Sequence, residues 1–288
     1  MLNGNLKLAI QKKGRLTDKS LQLFKNCGID IENYSERLLI SARNFGLDIL
    51  FLRDDDIPEY VQDGVADLGI VGGNVVAEKQ ADIKIIKKLG FGKCSLMVAV
   101  PEKKSLNNID ELNGKTIATS YPNILQNYLD ENNINAKIIQ LSGSVEISPS
   151  LGVADFICDI VSTGTTLKMN HLKPSFTVFE SEAYLISCKN KFSAEKQKIV
   201  DSLVMRIDSA LNARKSKYLM MNIPKSSLST IKEKLPALKS PTILSLADET
   251  MLALHAVIPA DKFWEIQSDL KNAGASDILL LPIENIIL

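Results

Sequence analysis

At 288 residues, with 45% hydrophobic and 24% charged side chains, the chain is large enough for two or three domains and has the balance of a soluble globular protein. Its 34 basic and 34 acidic residues cancel, which removes any global field favouring nucleic acid or an anionic membrane. Cys27, Cys94, Cys158 and Cys188 form no CxxC pair, and His171 and His255 have no ligand-spaced neighbour, so a disulfide framework, a zinc site and a Ser-His-Asp hydrolase are disfavoured.

In chain order, "MLNGNLKLAIQKKGRL" has early charges and no signal-peptide core. No later run approaches the roughly 18 apolar residues of a membrane span, so a cytoplasmic protein is expected. "LKLAI" (6–10) reads as a strand and "TDKSLQLFKNCG" (17–28) as a capped helix closed by Gly28. The strand "LDILFLR" (47–53) precedes "DDIPEYVQDG" (55–64), a helix with Pro58 in its first turn and Gly64 at its end. "ADLGIVGGN" (66–74) is a buried strand running into a glycine turn. This alternation predicts a parallel α/β sheet.

A second unit opens with the strand "CSLMVAVP" (94–101) and runs through 114–122, a helix over 123–132, and strands at 136–143 and 155–164. "TLKMNHL" (166–172) opens a helix and "FTVFESEAYLISC" (176–188) returns the chain to the first lobe. A helix over 194–214 sets Ile199, Leu203, Ile207 and Leu211 on one face. Two such lobes leave a cleft, a common small-ligand arrangement. The remainder reads strand 217–224, helix 226–238, strands 241–247 and 250–259, helix 261–274 capped by Asp261, and strand 277–283. That β-α-β-β-α-β order is the ferredoxin-like motif, whose role in an appended module is dimerisation or effector binding.

Three stretches can carry chemistry. In "DIVSTGTTLK" (159–168), Ser162, Thr163, Gly164, Thr165 and Thr166 form a strand-to-helix turn whose backbone N–H groups favour an anion, with Asp159 placed to accept from sugar hydroxyls. The same run is also what a ligand-free, hydroxyl-rich helix start looks like. Glu146, Asp155 and Asp159 are three acids around one strand entry, suited to Mg²⁺ or sugar hydroxyls if a ligand lies between them. "QKKGRL" (11–16) puts Lys12, Lys13, Gly14 and Arg15 at a strand's C-terminal end, where open α/β sheets bind ligands, or where a cation cluster is simply solvated. "RDDDIP" (53–58) is read as a helix cap through Asp55 or Asp56 rather than a metal site.

With these segments in order, the chain resembles the long form of ATP phosphoribosyltransferase, essentially end to end. The likeness is carried by "QKKGRL", "RDDDIP", "DGVADLGIVGGN", "GKTIATSYP", "EISPSLGVADFICDIVSTGTTL", "KSPTILSLA" and "GASDILLLPIE". The resemblance implies an α/β fold: a two-lobed, periplasmic-binding-protein-like catalytic core with a C-terminal ferredoxin-like regulatory domain. Lobe I would span 1–93 plus about 180–214, lobe II 94–179 and the regulatory domain 215–288. It implies condensation of ATP with 5-phosphoribosyl-1-pyrophosphate (PRPP) as the first step of histidine biosynthesis, without a protein nucleophile. Mg²⁺ would arrive mainly through the substrate, with Glu146 or Asp159 as protein ligands.

By the same resemblance, Glu146, Asp155, Asp159, Ser162, Thr163, Gly164, Thr165 and Thr166 would bind PRPP. Lys12, Gly14, Arg15, Asp67, Gly69, Gly72 and Tyr121 would line the ATP side, and Asn74 would help to shape the cleft. Histidine would inhibit through Asn222, Leu238, Ser240, Thr242 and Ala275, in a dimer or hexamer. Asn222 stands where the family often has an acid. The readings set against this enzyme are a two-lobed solute-binding protein and a non-catalytic regulator.

Overall fold

The computed structural model describes residues 4–32, 37–162 and 164–287. The chain groups into two compact units, Met1–Gln22 with Asp30–Lys196, and Leu23–Ile29 with Gln197–Leu288. The first lobe of the first unit contains β1 (Leu6–Gln11), α1 (Thr17–Asn26, whose last turn groups with the second unit), β2 (Leu39–Ser41), β3 (Leu47–Leu52) and α2 (Ile57–Gln62). It continues with β4 (Leu68–Gly72), α3 (Gly73–Lys79) and β5 (Lys84–Lys88). The second lobe contains β6 (Cys94–Pro101), β7 (Thr116–Thr119), α4 (Pro122–Glu131), β8 (Lys137–Gln140), β9 (Phe156–Val161), α5 (Thr165–Met169) and β10 (Leu172–Ser181). Strand β11 (Ala183–Ser187) then returns to the first lobe.

The first sheet has order β2-β3-β1-β4-β11-β5. Strand β1 runs parallel to β3 and β4, while β11 is antiparallel to β4 and β5. Every residue of β4 is buried, as a central strand covered on both faces must be. The lysine-rich β5 is exposed, which suits an edge strand and explains why its sequence carries no strand signal. Because β1, β3 and β4 point the same way, the turns after them emerge along one sheet edge. The second sheet has order β10-β6-β9-β7-β8, with β7, β8 and β9 mutually aligned, so the turns after β7 and β9 also share an edge.

Several expected elements are shorter or differently ended. The helix of 166–172 stops at Met169, and Leu172 already belongs to β10. Residues 176–188 are two strands broken at Glu182, the point where the chain changes sheets. Residues 73 and 74, read as the end of a glycine turn, open α3. Asp56 occupies the N-cap of α2 but its side chain makes no capping bond, so the cap reading of "RDDDIP" does not hold.

The second unit contains α6 (Ala194–Arg214), which begins in the first unit, then β12 (Ser216–Pro224), α7 (Leu228–Lys234), β13 (Thr242–Ser245), β14 (Met251–Pro259), α8 (Phe263–Asn272) and β15 (Ser276–Pro282). Its sheet, β13-β14-β12-β15, is antiparallel throughout and is ferredoxin-like. Leu219, Met221, Ile223, Leu254, Ile258, Ile231 and Leu270 form its core between sheet and helices. From Gln197 onward α6, expected with the first lobe, groups here instead. Arg206 Nη1 donates to the Cys27 carbonyl at 3.2 Å, and the Ile286 N–H donates to the Ser209 carbonyl at 3.2 Å. Lys262, not Asp261, is the N-cap residue of α8, again without a side-chain bond. Among the described residues, no helix is long and apolar enough to cross a membrane.

Candidate active site in the cleft of the first unit

The turns at the two aligned sheet edges face a common cleft. A small cavity at its floor, about 40 Å³, is lined by Gln11, Arg15, Asp54, Asn74, Tyr121 and Ile160, among others. These come from the ends of β1, β3 and β4 in one lobe and of β7 and β9 in the other. The turn after β1 is held by Gln11, whose side-chain oxygen accepts from the Leu16 N–H at 3.2 Å and whose carbonyl accepts from Thr17 Oγ1 at 2.9 Å. A Cβ on Gly14 would lie 2.5 Å from that Gln11 amide, and its φ of +148° is one that L side chains rarely adopt. Lys12 sits on the same turn, tied by its N–H to the Leu52 carbonyl at 2.7 Å, while Arg15 reaches the cleft.

Carboxylates from both lobes converge here. Burial pushes the Asp159 carboxyl above its ordinary range. The Ile160 N–H at 2.7 Å and the Arg15 charge oppose that rise, and the Glu146 charge adds to it. The Tyr121 hydroxyl is likewise pushed up, first by burial and then by the charges of Asp159, Asp54 and Asp55. Burial, with Asp54 beside it, also raises the Asp55 carboxyl. A half-buried phenol under the charges of acids from two lobes is an environment that can receive cationic or hydrogen-bonding groups. Among the described residues, no three His, Cys, Asp or Glu side chains cluster closely enough to hold a metal ion.

Beside Asp159, the turn after β9 has Gly164 at the N-cap of α5 with φ of +74°, a left-handed conformation that glycine alone adopts without strain. The first intrahelical bond is Lys168 N–H to the Gly164 carbonyl at 3.1 Å, so the preceding N–H groups face outward as on any helix start. Ser162, Thr165 and Thr166 are exposed around it; Thr163 lies outside the described residues.

Not every expected residue joins this group. Asp155 precedes β9, at the opposite end of the strand from the turn, and its Oδ2 accepts from the Thr116 N–H at 3.0 Å. It ties two strand entries together and does not face the cleft turns. Asp67 precedes β4 in the same way: its Oδ2 accepts from the Lys7 N–H at 2.8 Å, and Lys196 Nζ binds both of its oxygens at 2.7 and 2.8 Å. Gly69 serves packing, since a Cβ there would lie 2.7 Å from Ile57 Cγ2. Gly72 does reach the cleft, beside Asn74. Gln11 and Asp54 are cleft residues that the sequence pattern did not single out; for Asp54 the signal was the acidic run itself.

In the second unit, Thr242 lies on the edge strand β13 and Asn222 on β12, with β14 between them, roughly 12 Å apart across two strand spacings and a two-residue offset in register. Asn222 Nδ2 donates to Asp277 Oδ2 at 2.9 Å. Leu238 and Ser240 are exposed near β13, and Ala275 packs on the core.

Comparison with known proteins gives the family. The sequence profile described as ATP phosphoribosyltransferase matches residues 53–209, and that of the HisG C-terminal domain matches residues 213–285. An ATP phosphoribosyltransferase of Cytophaga hutchinsonii is 52% identical over 282 residues, covering 98% of both chains. One from Bacteroides thetaiotaomicron is 48% identical, covering 98% of this chain and 99% of its own. Among solved structures, the ATP phosphoribosyl transferase (HisG:HisZ) complex from Thermotoga maritima superposes with a TM-score of 0.59 at 30% identity, covering 70% of this chain and 98% of that one. With near-complete coverage at such identity, and with the appended domain matched as well, the chain belongs to the ATP phosphoribosyltransferase family of histidine biosynthesis, in its long form.

Proposed function

We propose that this transferase condenses ATP with PRPP in the cleft, giving N1-(5-phosphoribosyl)-ATP and pyrophosphate. Adenine N1 attacks the anomeric carbon as pyrophosphate departs, through a transition state with oxocarbenium character, and no protein nucleophile takes part. The observation that supports this reading best is that Arg15, Asp54, Asn74 and Tyr121 line one cavity with Ile160 of β9, the strand that carries Asp159 and runs into the Gly164 turn. In the proposed arrangement Asp159 accepts from the ribose hydroxyls, and Ser162, Gly164, Thr165 and Thr166, with Thr163, take the 5-phosphate. Arg15, Gly14, Lys12, Gly72 and Tyr121 line the ATP side. Orientation of two bound reactants supplies on the order of 7–11 kcal/mol of such a barrier.

Glu146 is the acid whose charge acts on Asp159, too few carboxylates for a protein-held cation, so Mg²⁺ would be held chiefly by the substrate pyrophosphate, with Glu146 or Asp159 as protein ligands, and would neutralise the leaving group. The direct test mixes the purified chain with ATP, PRPP and Mg²⁺ and follows the absorbance of the N1-substituted adenine; absence of product sinks the reading. Asp155→Ala serves as a control. It should lower the melting temperature through loss of one hydrogen bond, about 1 kcal/mol, and leave PRPP affinity unchanged.

We further propose that histidine inhibits through the second unit and that the active chain is a homo-oligomer, a dimer or hexamer. Support comes from the ferredoxin-like module and from the exposed β13 edge that carries Thr242. Histidine should inhibit the full chain, and Thr242→Val should weaken that inhibition without changing uninhibited turnover. Inhibition of equal strength in the variant would refute the role of this edge.

A further inference from the structure

The cap of helix α4 comes from the opposite lobe. Pro122 opens this helix and has no N–H, and the Leu125 N–H already donates to the Tyr121 carbonyl at 3.1 Å. The donors left over are those of Asn123 and Ile124, the positions that an N-cap side chain normally satisfies. Tyr121 holds the N-cap position and its side chain makes no such bond. Instead Glu78, on α3 of the first lobe, places Oε1 3.1 Å from the Asn123 nitrogen and Oε2 3.0 Å from the Ile124 nitrogen. Its carbonyl also accepts from the Asn123 side-chain amide at 2.9 Å. A carboxylate suits this end of the helix, where the peptide dipoles present partial positive charge.

One turn earlier on the same helix, Asn74 makes the second crossing. Its Nδ2 donates to Tyr121 Oη at 3.4 Å. Its Oδ1 accepts from Ser181 Oγ at 2.8 Å, and its backbone N–H donates to the same Ser181 Oγ at 3.0 Å. Residues four apart share a helix face, so Asn74 and Glu78 grip the beginning of α4 and the residue before it from one side. Ala77, between them, packs against the apolar core of the second lobe. Helix α3 therefore clasps Tyr121 at both ends: backbone through α4, hydroxyl through Asn74.

We infer that Glu78 is a positioning residue for the transferase reaction, acting across the lobes to fix the start of α4 and, through it, the Tyr121 side chain on the cleft floor. It touches no reactant in this role. The inference rests on the reading of the cleft as the substrate site, and the two fail separately. If Asp159→Asn leaves PRPP binding intact, the cleft reading falls; if it weakens binding while Glu78 variants behave as wild type, only the present inference falls.

The test uses the full chain and steady-state kinetics for Glu78→Ala, Glu78→Gln, Tyr121→Ala and the double variants. Glu78→Ala should lower kcat/KM about ten- to a hundredfold, the scale of an ångström-level misplacement. Glu78→Gln keeps one oxygen acceptor and should recover most of that loss. In the Tyr121→Ala background, Glu78→Ala should cost nothing further, because the residue it positions is gone. An equal loss in both backgrounds, or full activity of Glu78→Ala, overturns the proposal. Should Glu78→Ala not fold, Glu78→Asp, whose carboxylate is one methylene too short to meet both N–H groups, runs the same cycle alone and combined with Tyr121→Ala: a loss confined to the Tyr121 background supports the proposal, and an equal loss in both, or none in either, overturns it.

Discussion

Asp159→Asn is expected to weaken PRPP binding about ten- to a hundredfold and, at neutral pH, to raise the melting temperature. The first effect follows from exchanging a charged acceptor for a neutral one of the same size, since hydrogen bonds to charged groups contribute about 1.5–3 kcal/mol. The second follows from burial. An acid whose carboxyl is raised in the fold is favoured there in its protonated form, so its stabilising contribution is complete below the ordinary value of 3.8 and is lost as pH rises through the raised one. At neutral pH the native chain carries a desolvated charge beside Glu146, and the amide removes that penalty. The stability gain should shrink as pH falls toward the ordinary carboxylate value. Calorimetric titration with PRPP and melting curves at neutral and acid pH check both halves. Unchanged PRPP affinity would falsify the ribose assignment.

Asp67→Ala is expected to act on the fold and not on the ligands. The substitution leaves the Lys7 N–H without its acceptor and Lys196 without its partner inside the first unit. Breaking a fully buried pair costs about 3–5 kcal/mol. With the Lys196 side chain 30% exposed and that of Asp67 12%, about 2–4 kcal/mol is the appropriate range. For a unit of this size the melting temperature should drop by roughly 5–10 °C. ATP and PRPP dissociation constants should stay at wild-type values below the transition. Weakened ATP binding with an unchanged melting temperature would instead return Asp67 to the nucleotide side. Lys196→Ala, which removes the other half of the pair, should reproduce most of the destabilisation.

The contrast between these two aspartates shows what a linear reading can reach. The strands β1, β3, β4, β6 and β9 are legible as apolar runs, and the Gly164 turn as a helix start able to hold an anion, because each depends on local pattern. Whether an acid flanking a strand faces the cleft depends on which end of the strand it occupies. Asp155 and Asp159 are four residues apart, yet one precedes β9 and the other lies in its C-terminal half. Asp67 is drawn to the nucleotide by its neighbours Gly69 and Gly72, while its contacts come from Lys7 and Lys196, distant in sequence. Helix α3 is hidden because Gly72 and Gly73 resemble a turn, and Glu78 is hidden with it. Helix caps mislead for the same reason. Asp56 and Asp261 have the right chemistry beside their helices and make no cap bond, while α4 takes its cap from another lobe.

Strand β11 sits between β4 and β5 in the first sheet although nearly a hundred residues separate it from β5. During synthesis, residues 6–88 therefore emerge with a gap beside one edge of their sheet, and β5 has no neighbour to pair with until Ser187 has left the ribosome. The second lobe, by contrast, carries all five of its strands between Cys94 and Ser181. The usual order of birth, in which the N-terminal region folds first, is thus expected to be inverted for completion of the two sheets. The inserted lobe closes while the earlier segment waits for its missing strand, and a nascent chain halted before Ala183 should hold a finished inner lobe inside an unfinished outer one.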